Sequence, residues 1–308
     1  MKKVLNLVVA LTLATTVLSQ KYKLELNLKK GSTYTQTIVS KSNMIQIVNG
    51  KTTNVDYSTT GRTSYKVIAI HDSIYDLEAR YESLSMNSKA SLENSFMVFS
   101  SENKDKKDML SNALSEATDK PFKVKMSKRG KVVYIQNMDS LLWTFLDELT
   151  FDMADVKQHA KAEIKRLFGD KMLKSNLEQG SAIFPDHPVS IGDIWTTDII
   201  TNTGITAKST TRYELKGLDG NCFVISGTLK MKSENNDEYK EMYGMIIKSD
   251  LSGVSSSTTK VNMKTGWIKE QKMIYDMRNL SKIKESPQLP NGMITDIKMN
   301  MQMTITDK

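Results

Sequence analysis

The sequence predicts an α+β protein dominated by strands: a duplicated antiparallel meander forming a strongly curved sheet or half-barrel, with helices packed on its inner face. Three observations predict it. Apolar and polar residues alternate with period two over both ends of the chain, broken at short intervals by turn residues. Between residues 138 and 180 the period becomes helical. Motifs of the first strand-rich stretch recur in the second.

The chain opens on a targeting signal. Lys2 and Lys3 precede a mostly apolar run from Val4 to Thr16, and Val17-Leu18-Ser19 offers small residues at a cleavage site. Residues 1–19 therefore read as a secretory signal peptide removed before Gln20, which implies an exported chain, periplasmic or extracellular. The alternative is an N-terminal anchor, but the run is short of the roughly 20 apolar residues that span a bilayer. With the signal removed no transmembrane anchor is expected, and the formal charge falls from +8 to +6, because two lysines leave and no acid does.

Residues 20–137 form the first meander. Met44 to Val48, Asn49-Gly50 and Thr52 to Tyr57 read as a hairpin, since Asn-Gly tolerates the positive φ angles of a type I′ turn. Phe122 to Met126 and Val132 to Gln136 flank a second turn at Lys128-Arg129-Gly130. A weaker helical patch covers Lys106 to Ala117. Residues 138–182 form the connector. Asp139 is the expected N-cap of a helix carrying Leu142, Phe145, Leu146 and Leu149; a second helix carries Met153, Val156, Ala160, Ile164 and Leu167 and stops near Gly169; a third runs to Gly180. Residues 183–308 form the second meander, with a hairpin turning at Asp219-Gly220. Its last run places Ile297, Met299, Met301, Met303 and Ile305 on a dry face and Lys298, Asn300, Gln302 and Thr304 on a wet one.

The internal echo ties the two meanders together. The stretch from Gly31 to Ile38 matches that from Gly192 to Ile199 in Gly, aromatic, Thr and Ile at equal spacing. Thr63 to Val67 resembles Thr211 to Leu215, and Tyr75, Leu77, Ala79 and Tyr81 line up with Phe223, Ile225, Gly227 and Leu229. Val124 to Gln136 corresponds to Val261 to Lys272.

The segment Phe184-Pro185-Asp186-His187-Pro188-Val189-Ser190-Ile191-Gly192-Asp193-Ile194-Trp195 resembles the FP-x-x-PV-x-x-GD-x-W element of an uncharacterised family of secreted and lipoprotein-like proteins of Gram-negative bacteria. The Lys30 to Tyr34 element and the Ser127 to Val132 stretch agree with it. The resemblance implies a strand-rich second half and no particular activity. More distantly, a curved sheet with helices across it resembles the periplasmic lipoprotein-carrier fold, a likeness of architecture alone. Read physically, the two prolines stiffen an extended lead-in, Gly192 permits a turn, Asp193 bonds nearby amides, and Trp195 turns into the core.

Composition excludes whole classes. With 39% hydrophobic and 25% charged residues, 308 residues make neither a disordered polymer nor a multi-span membrane protein. The basic excess is scattered, as in Lys104-Asp105-Lys106-Lys107-Asp108, so a nucleic-acid partner is not expected. One cysteine, Cys222, forbids an intrachain disulfide and reads as a strand residue. The three histidines, His71, His159 and His187, lie far apart without a metal motif; His159 and Glu163, one helical turn apart, read as a solvated pair. Asp147-Glu148 splay apart on a helix, and no nucleophile motif or phosphate loop stands out. No catalytic residue, metal or cofactor is therefore expected.

What remains is methionine, 19 residues against 8 Phe and 3 Trp, crowded into the last strands. Unbranched thioethers repack around irregular shapes. The expected function is a non-catalytic binding or carrier protein for a hydrophobic small molecule, lipid or apolar peptide, or for an envelope component. The expected cavity liners are Met299, Met301, Met303, Ile297, Phe223, Ile225, Phe145 and Leu149. The alternatives are a structural or adaptor protein binding an envelope protein, and an enzyme of unrecognised mechanism. A core merely packed with Met would leave no room for a ligand.

Overall fold

A computed structural model describes residues 20–91, 96–103, 105, 111, 115–116, 118, 120–141, 169–202, 205–234, 236–242, 245–286 and 289–308. The signal-like segment 1–19 and most of the connector, including Phe145, Leu149 and the second helix, lie outside the described residues, as does most of the patch 106–117.

Among the described residues the strands are β1 (Thr33–Val48), β2 (Lys51–His71), β3 (Ile74–Ala90), β4 (Phe96–Ser100), β5 (Phe122–Ser127), β6 (Val132–Gln136), β7 (Ile194–Asn202), β8 (Thr206–Asp219), β9 (Cys222–Ser233), β10 (Lys240–Met242), β11 (Met245–Asn262), β12 (Ile268–Ile283) and β13 (Met293–Thr306), with one helix, α1 (Asp170–Ser181). All thirteen strands join one antiparallel sheet in the order β6-β5-β3-β2-β1-β13-β12-β11-β9-β8-β7, with β4 on β3 and β10 on β11. The sheet is not closed, β6 and β7 being its two ends.

The turns show why these residues pair as they do. Asn49 (φ 47°) and Gly50 (φ 84°) both occupy the left-handed region, as a two-residue hairpin between right-twisted strands requires. The β8–β9 turn sits one residue later than expected: Asp219 pairs with Cys222, so Gly220 (φ 55°) and Asn221 form the turn.

The two meanders repeat at the level of register. Tyr34 pairs with Tyr65 in the first, and Trp195 with Tyr213 in the second. Tyr65 then pairs with Ala79, and Tyr213 with Gly227. A bulge follows Val67 in β2, and another follows Leu215 at the matching place in β8. Next come Tyr75 against Met126 and Phe223 against Val261. The β5–β6 and β11–β12 pairs are irregular at equivalent points, between Lys125 and Met126 and between Lys260 and Val261. This register makes Met126, not Val124, the counterpart of Val261, a shift of two residues that alternation alone cannot detect because it preserves the face. β13 is the extra strand, laid between β12 and β1.

The sheet curls around the segment that leads into β1. The amide of Leu26 donates to Lys128 O (2.7 Å) in the β5–β6 turn, and that of the next residue, Asn27, to Thr265 O (2.8 Å) in the β11–β12 turn. Five inter-strand spacings separate β5 from β12 in the sheet order, roughly 24 Å if the sheet were flat. Two neighbouring residues reach both turns only because the sheet bends back on itself. The core fills this end: Leu24, Leu26 and Leu28 pack with Tyr75, Leu77, Phe122, Val132, Ile183, Trp195, Leu215, Ile225 and Trp267. The Tyr75 hydroxyl donates to Leu26 O (2.9 Å) and accepts from the Leu28 amide (3.2 Å).

Of the helices expected on the inner face, α1 is described there. Leu173 and Leu177 pack against the core, and a Cβ on Gly180 would lie 3.6 Å from Ile305 Cδ1. Asp139 lies in the first described turn of its helix, at 138–141. The Asp170 carboxylate accepts from the amides of Met138 (3.0 Å) and Asp139 (3.3 Å), while Asp139 Oδ1 accepts from the Asp170 amide (2.9 Å). Each aspartate thus serves the other's helix start, a long-range exchange invisible to local spacing.

Burial raises the phenol pKa of Tyr65, Tyr75, Tyr81, Tyr213 and Tyr275, the last to about 12. An unfolded chain ionises its tyrosines near pH ~10, so it releases protons first. Stability from these groups is whole below that value and declines as pH rises toward the folded values. A spectrophotometric titration is expected to show them ionising together with cooperative unfolding. Smooth ionisation of all eleven tyrosines near pH ~10 with the fold intact would contradict this.

Candidate functional site

The inner face beyond the core holds four of the sequence-predicted liners, Ile297, Met299, Met301 and Met303. Along β13, Ile297, Met299, Met301 and Met303 are half-buried, whereas Lys298, Asn300 and Gln302 between them are exposed. Register extends this into a lattice. One row across five strands reads Met44, Met299, Met277, Gly253, Met231, passing from β1 through β13, β12 and β11 to β9. Directly paired residues hold their Cβ atoms about 5 Å apart, so these side chains touch. Gly253 matters here because a Cβ would sit 2.8 Å from Met277 Cγ and 3.3 Å from Met231 Cε; its bare backbone lets the two methionines converge. Toward the core, Met303 pairs with Met273 and Met301 with Tyr275, whose hydroxyl donates to Met273 Sδ at 3.3 Å.

Polar atoms border this thioether surface. Ser209 on β8 lies opposite Met231, and Asn279 on β12 lies one step beyond Met277 on the same face. Ser209 Oγ and Asn279 Oδ1 are buried and have no hydrogen-bond partner, and nearer the core Gln271 Oε1 is in the same state. Thr197 Oγ1 on β7 is in the same state.

Phe223 and Ile225 share the face but sit deeper, inside the main core, with the Phe223 ring edge-on to Tyr22 at 5.2 Å. Alternation along the strand places them on this face; their depth comes from the lead-in segment in the same cluster, with Tyr22 against Phe223. Sequence reasoning misses Met44 and Met231, and places Met277 only among the methionines crowded into the last strands. Their signal is register, which places them level with Met299, and register follows from the Asn49-Gly50 turn and the echo between halves.

The outer face mixes polar pairs with exposed apolar residues such as Val254, Ile274 and Ile294. Asn43 donates to Asp56 (2.8 Å), and Arg278 makes a two-pronged pair with Asp296 (2.9 and 2.8 Å) that holds the carboxyl below the usual range. Cys222 is half-buried at the turn end, and burial pushes its thiol up, away from nucleophilic use. His187 hydrogen-bonds Asp186 on an exposed corner, and Asp193 accepts from the Ser190 amide (2.8 Å) beside Trp195, whose ring nitrogen donates to Ile183 O (2.9 Å). Among the described residues no group of three or more His, Cys, Asp and Glu is placed to hold a metal ion, and no helix is long and apolar enough to cross a membrane.

Comparison with curated proteins finds no match. Among solved structures, the chain is similar to lipovitellin (10% identity, TM-score 0.44), covering 91% of this chain and 26% of the lipovitellin chain, so that it spans about a quarter of that protein. It is also similar to the COG4313 outer membrane channel from Pseudomonas putida F1 (7% identity, TM-score 0.27, 91% of this chain and 97% of the channel). These are low scores at low identity and leave ligand and partner unassigned. The family of unknown function DUF6263 matches residues 72–268, well over half of the chain, and the protein belongs to that family.

Proposed function

We propose that the protein is an exported, non-catalytic binding or carrier module whose inner face holds an uncharged apolar ligand, a lipid tail or apolar peptide. The observation that carries this reading is the half-buried row Met44, Met299, Met277 and Met231, bordered by the unpartnered oxygens of Ser209 and Asn279. Thioethers supply a surface that repacks around a flexible chain. Export rests on the signal-like residues 1–19.

Native mass spectrometry of protein purified from its own envelope is expected to show a retained small molecule, and the stripped protein is expected to take up a fluorescent fatty acid. Met277→Gln with Met299→Gln should weaken that uptake at least about tenfold, or ~1.4 kcal/mol, while Ile274→Gln on the outer face leaves it unchanged. A ligand-free spectrum together with no dye uptake would sink the reading. A second reading, an adaptor for another envelope protein, is favoured by β7, which pairs only with β8 among the described residues and exposes Ile194 and Ile200. One stoichiometric protein partner recovered without lipid would favour it.

A further inference from the structure

At the turn end of the strands, lined by no residue of the methionine row, lies a second concavity of different chemistry. It encloses about 630 Å³ around the β5–β6 turn. Three elements supply five cations to its wall: Lys23 from the lead-in segment, Lys128, Arg129 and Lys131 from the turn, and Lys174 from α1. Glu25 is the one acid in the wall. Beyond it, Glu178 holds Lys174 (3.0 Å) and Asp186 stands 4.0 Å from Arg129, while Glu25 itself pairs with Lys23 (3.1 Å). Among the described residues Lys128 and Lys131 make no ion pair, so the basin keeps a surplus of positive charge over the described carboxylates beside it.

The basin is held rigid. Lys128 donates its amide to Ser73 O and accepts from the Leu26 amide; Lys131 donates its amide to Ser127 Oγ (3.1 Å); the Ser181 hydroxyl donates to Gly130 O (2.6 Å). Ile74 and the exposed Val133 add apolar surface to its lining. The repeat provides an internal comparison. The register that equates Val132 with Ile268 sets Lys131 against Trp267 and Gly130 against Gly266. In the second half that turn carries a buried tryptophan and the single cation Lys264; in the first it carries three cations around an open concavity. One scaffold therefore closes a turn with an aromatic ring in one copy and leaves it open and basic in the other.

We propose that this basin binds the phosphoryl group of a small anion carrying at least two negative charges. Two unpaired ammonium groups match that charge, the Arg129 guanidinium adds a fork suited to phosphate oxygens, and a volume in the range of small-molecule sites accommodates the group. The phosphoryl group belongs either to a soluble organophosphate or to a lipid headgroup. This site is separate from the methionine face, and either can fail without the other.

The test is calorimetric titration of the chain from Gln20 onward with inorganic pyrophosphate at low salt, followed by sedimentation with phosphatidylcholine vesicles with and without phosphatidic acid. Saturable pyrophosphate binding that weakens as salt rises is expected, with a loss of at least about tenfold in the Lys128→Gln, Lys131→Gln double variant and no change in Lys264→Gln at the twin turn. Co-sedimentation only with phosphatidic acid, lost in the same double variant, places the phosphoryl group on a lipid; pyrophosphate binding without vesicle binding places it on a soluble molecule. No binding to either probe, or equal binding by the double variant and the parent, overturns the proposal. All three substitutions fall on solvent-facing turns, so thermal melting of the variants should match the parent.

Discussion

Replacing Gly266 with alanine is expected to destabilise the protein by about 4 kcal/mol or more, enough to leave much of the chain unfolded at ordinary temperature. Two costs combine. Gly266 has φ 67°, a region where an L side chain is strained by roughly 1–2 kcal/mol. The larger cost is steric: the new Cβ would land on the carbonyl oxygen of Glu25, 2.7 Å from its carbonyl carbon and 2.8 Å from Leu26 Cα. Backbone stands in the way, and that backbone is pinned by Leu24, Leu26 and Leu28 in the core. Gly130 meets the same fate at its twin turn (φ 77°), where a Cβ would strike the carbonyl of Ser181. Gly50→Ala is the control. It shares the positive φ (84°) but has nothing within 4 Å, so only the conformational cost of about 1 kcal/mol applies. Urea unfolding of the three variants should rank them this way; a Gly266→Ala protein as stable as Gly50→Ala would show that the lead-in segment is not clasped by the two turns.

The same contacts mark where sequence reasoning succeeds and where it stops. The Asn49-Gly50 turn, the alternation of β13 and the inward Trp195 are local: a two-residue turn or a strand face is decided by residues adjacent in sequence, so spacing suffices. The repeat was legible because a Gly-aromatic-Thr element survives in both halves, although alternation could not separate Val124 from Met126 as the partner of Val261. Three things were out of reach. Asp139 and Asp170 exchange caps over 31 residues, a choice made by tertiary packing. Phe223 and Ile225 are core because they join one buried cluster with the lead-in segment, whose Tyr22 lies edge-on to the Phe223 ring. The basic turn at 128–131 reads as solvated charge until Lys23 and Lys174 are seen to face it from two other elements. In each case the deciding neighbour is remote in sequence and enters only through the curl of the sheet.

Trp267→Ala is expected to cost about 3–5 kcal/mol, the usual range for deleting a buried large aromatic side chain. The indole is 7% exposed and lies against Tyr34 and Tyr65, with ring centres 5.2 and 5.7 Å away. Its ring nitrogen donates to Thr35 O (3.0 Å) on β1, across the intervening β13. The residue thus ties the end of the second meander to the start of the first. Trp267→Phe separates the two contributions: it keeps an aromatic ring near the tyrosines but strands the carbonyl of Thr35, so a smaller loss of about 1–2 kcal/mol is expected. Trp195→Phe is the matched case, since its nitrogen serves Ile183 O and its ring stacks on Tyr213 at 5.8 Å. If the two meanders are joined as the register indicates, Trp267→Ala lowers the melting point of the whole chain in one transition. Two separated transitions, or a melting curve like that of the parent, would mean that β1–β13 pairing alone holds the halves together and that the ring cluster is incidental to it.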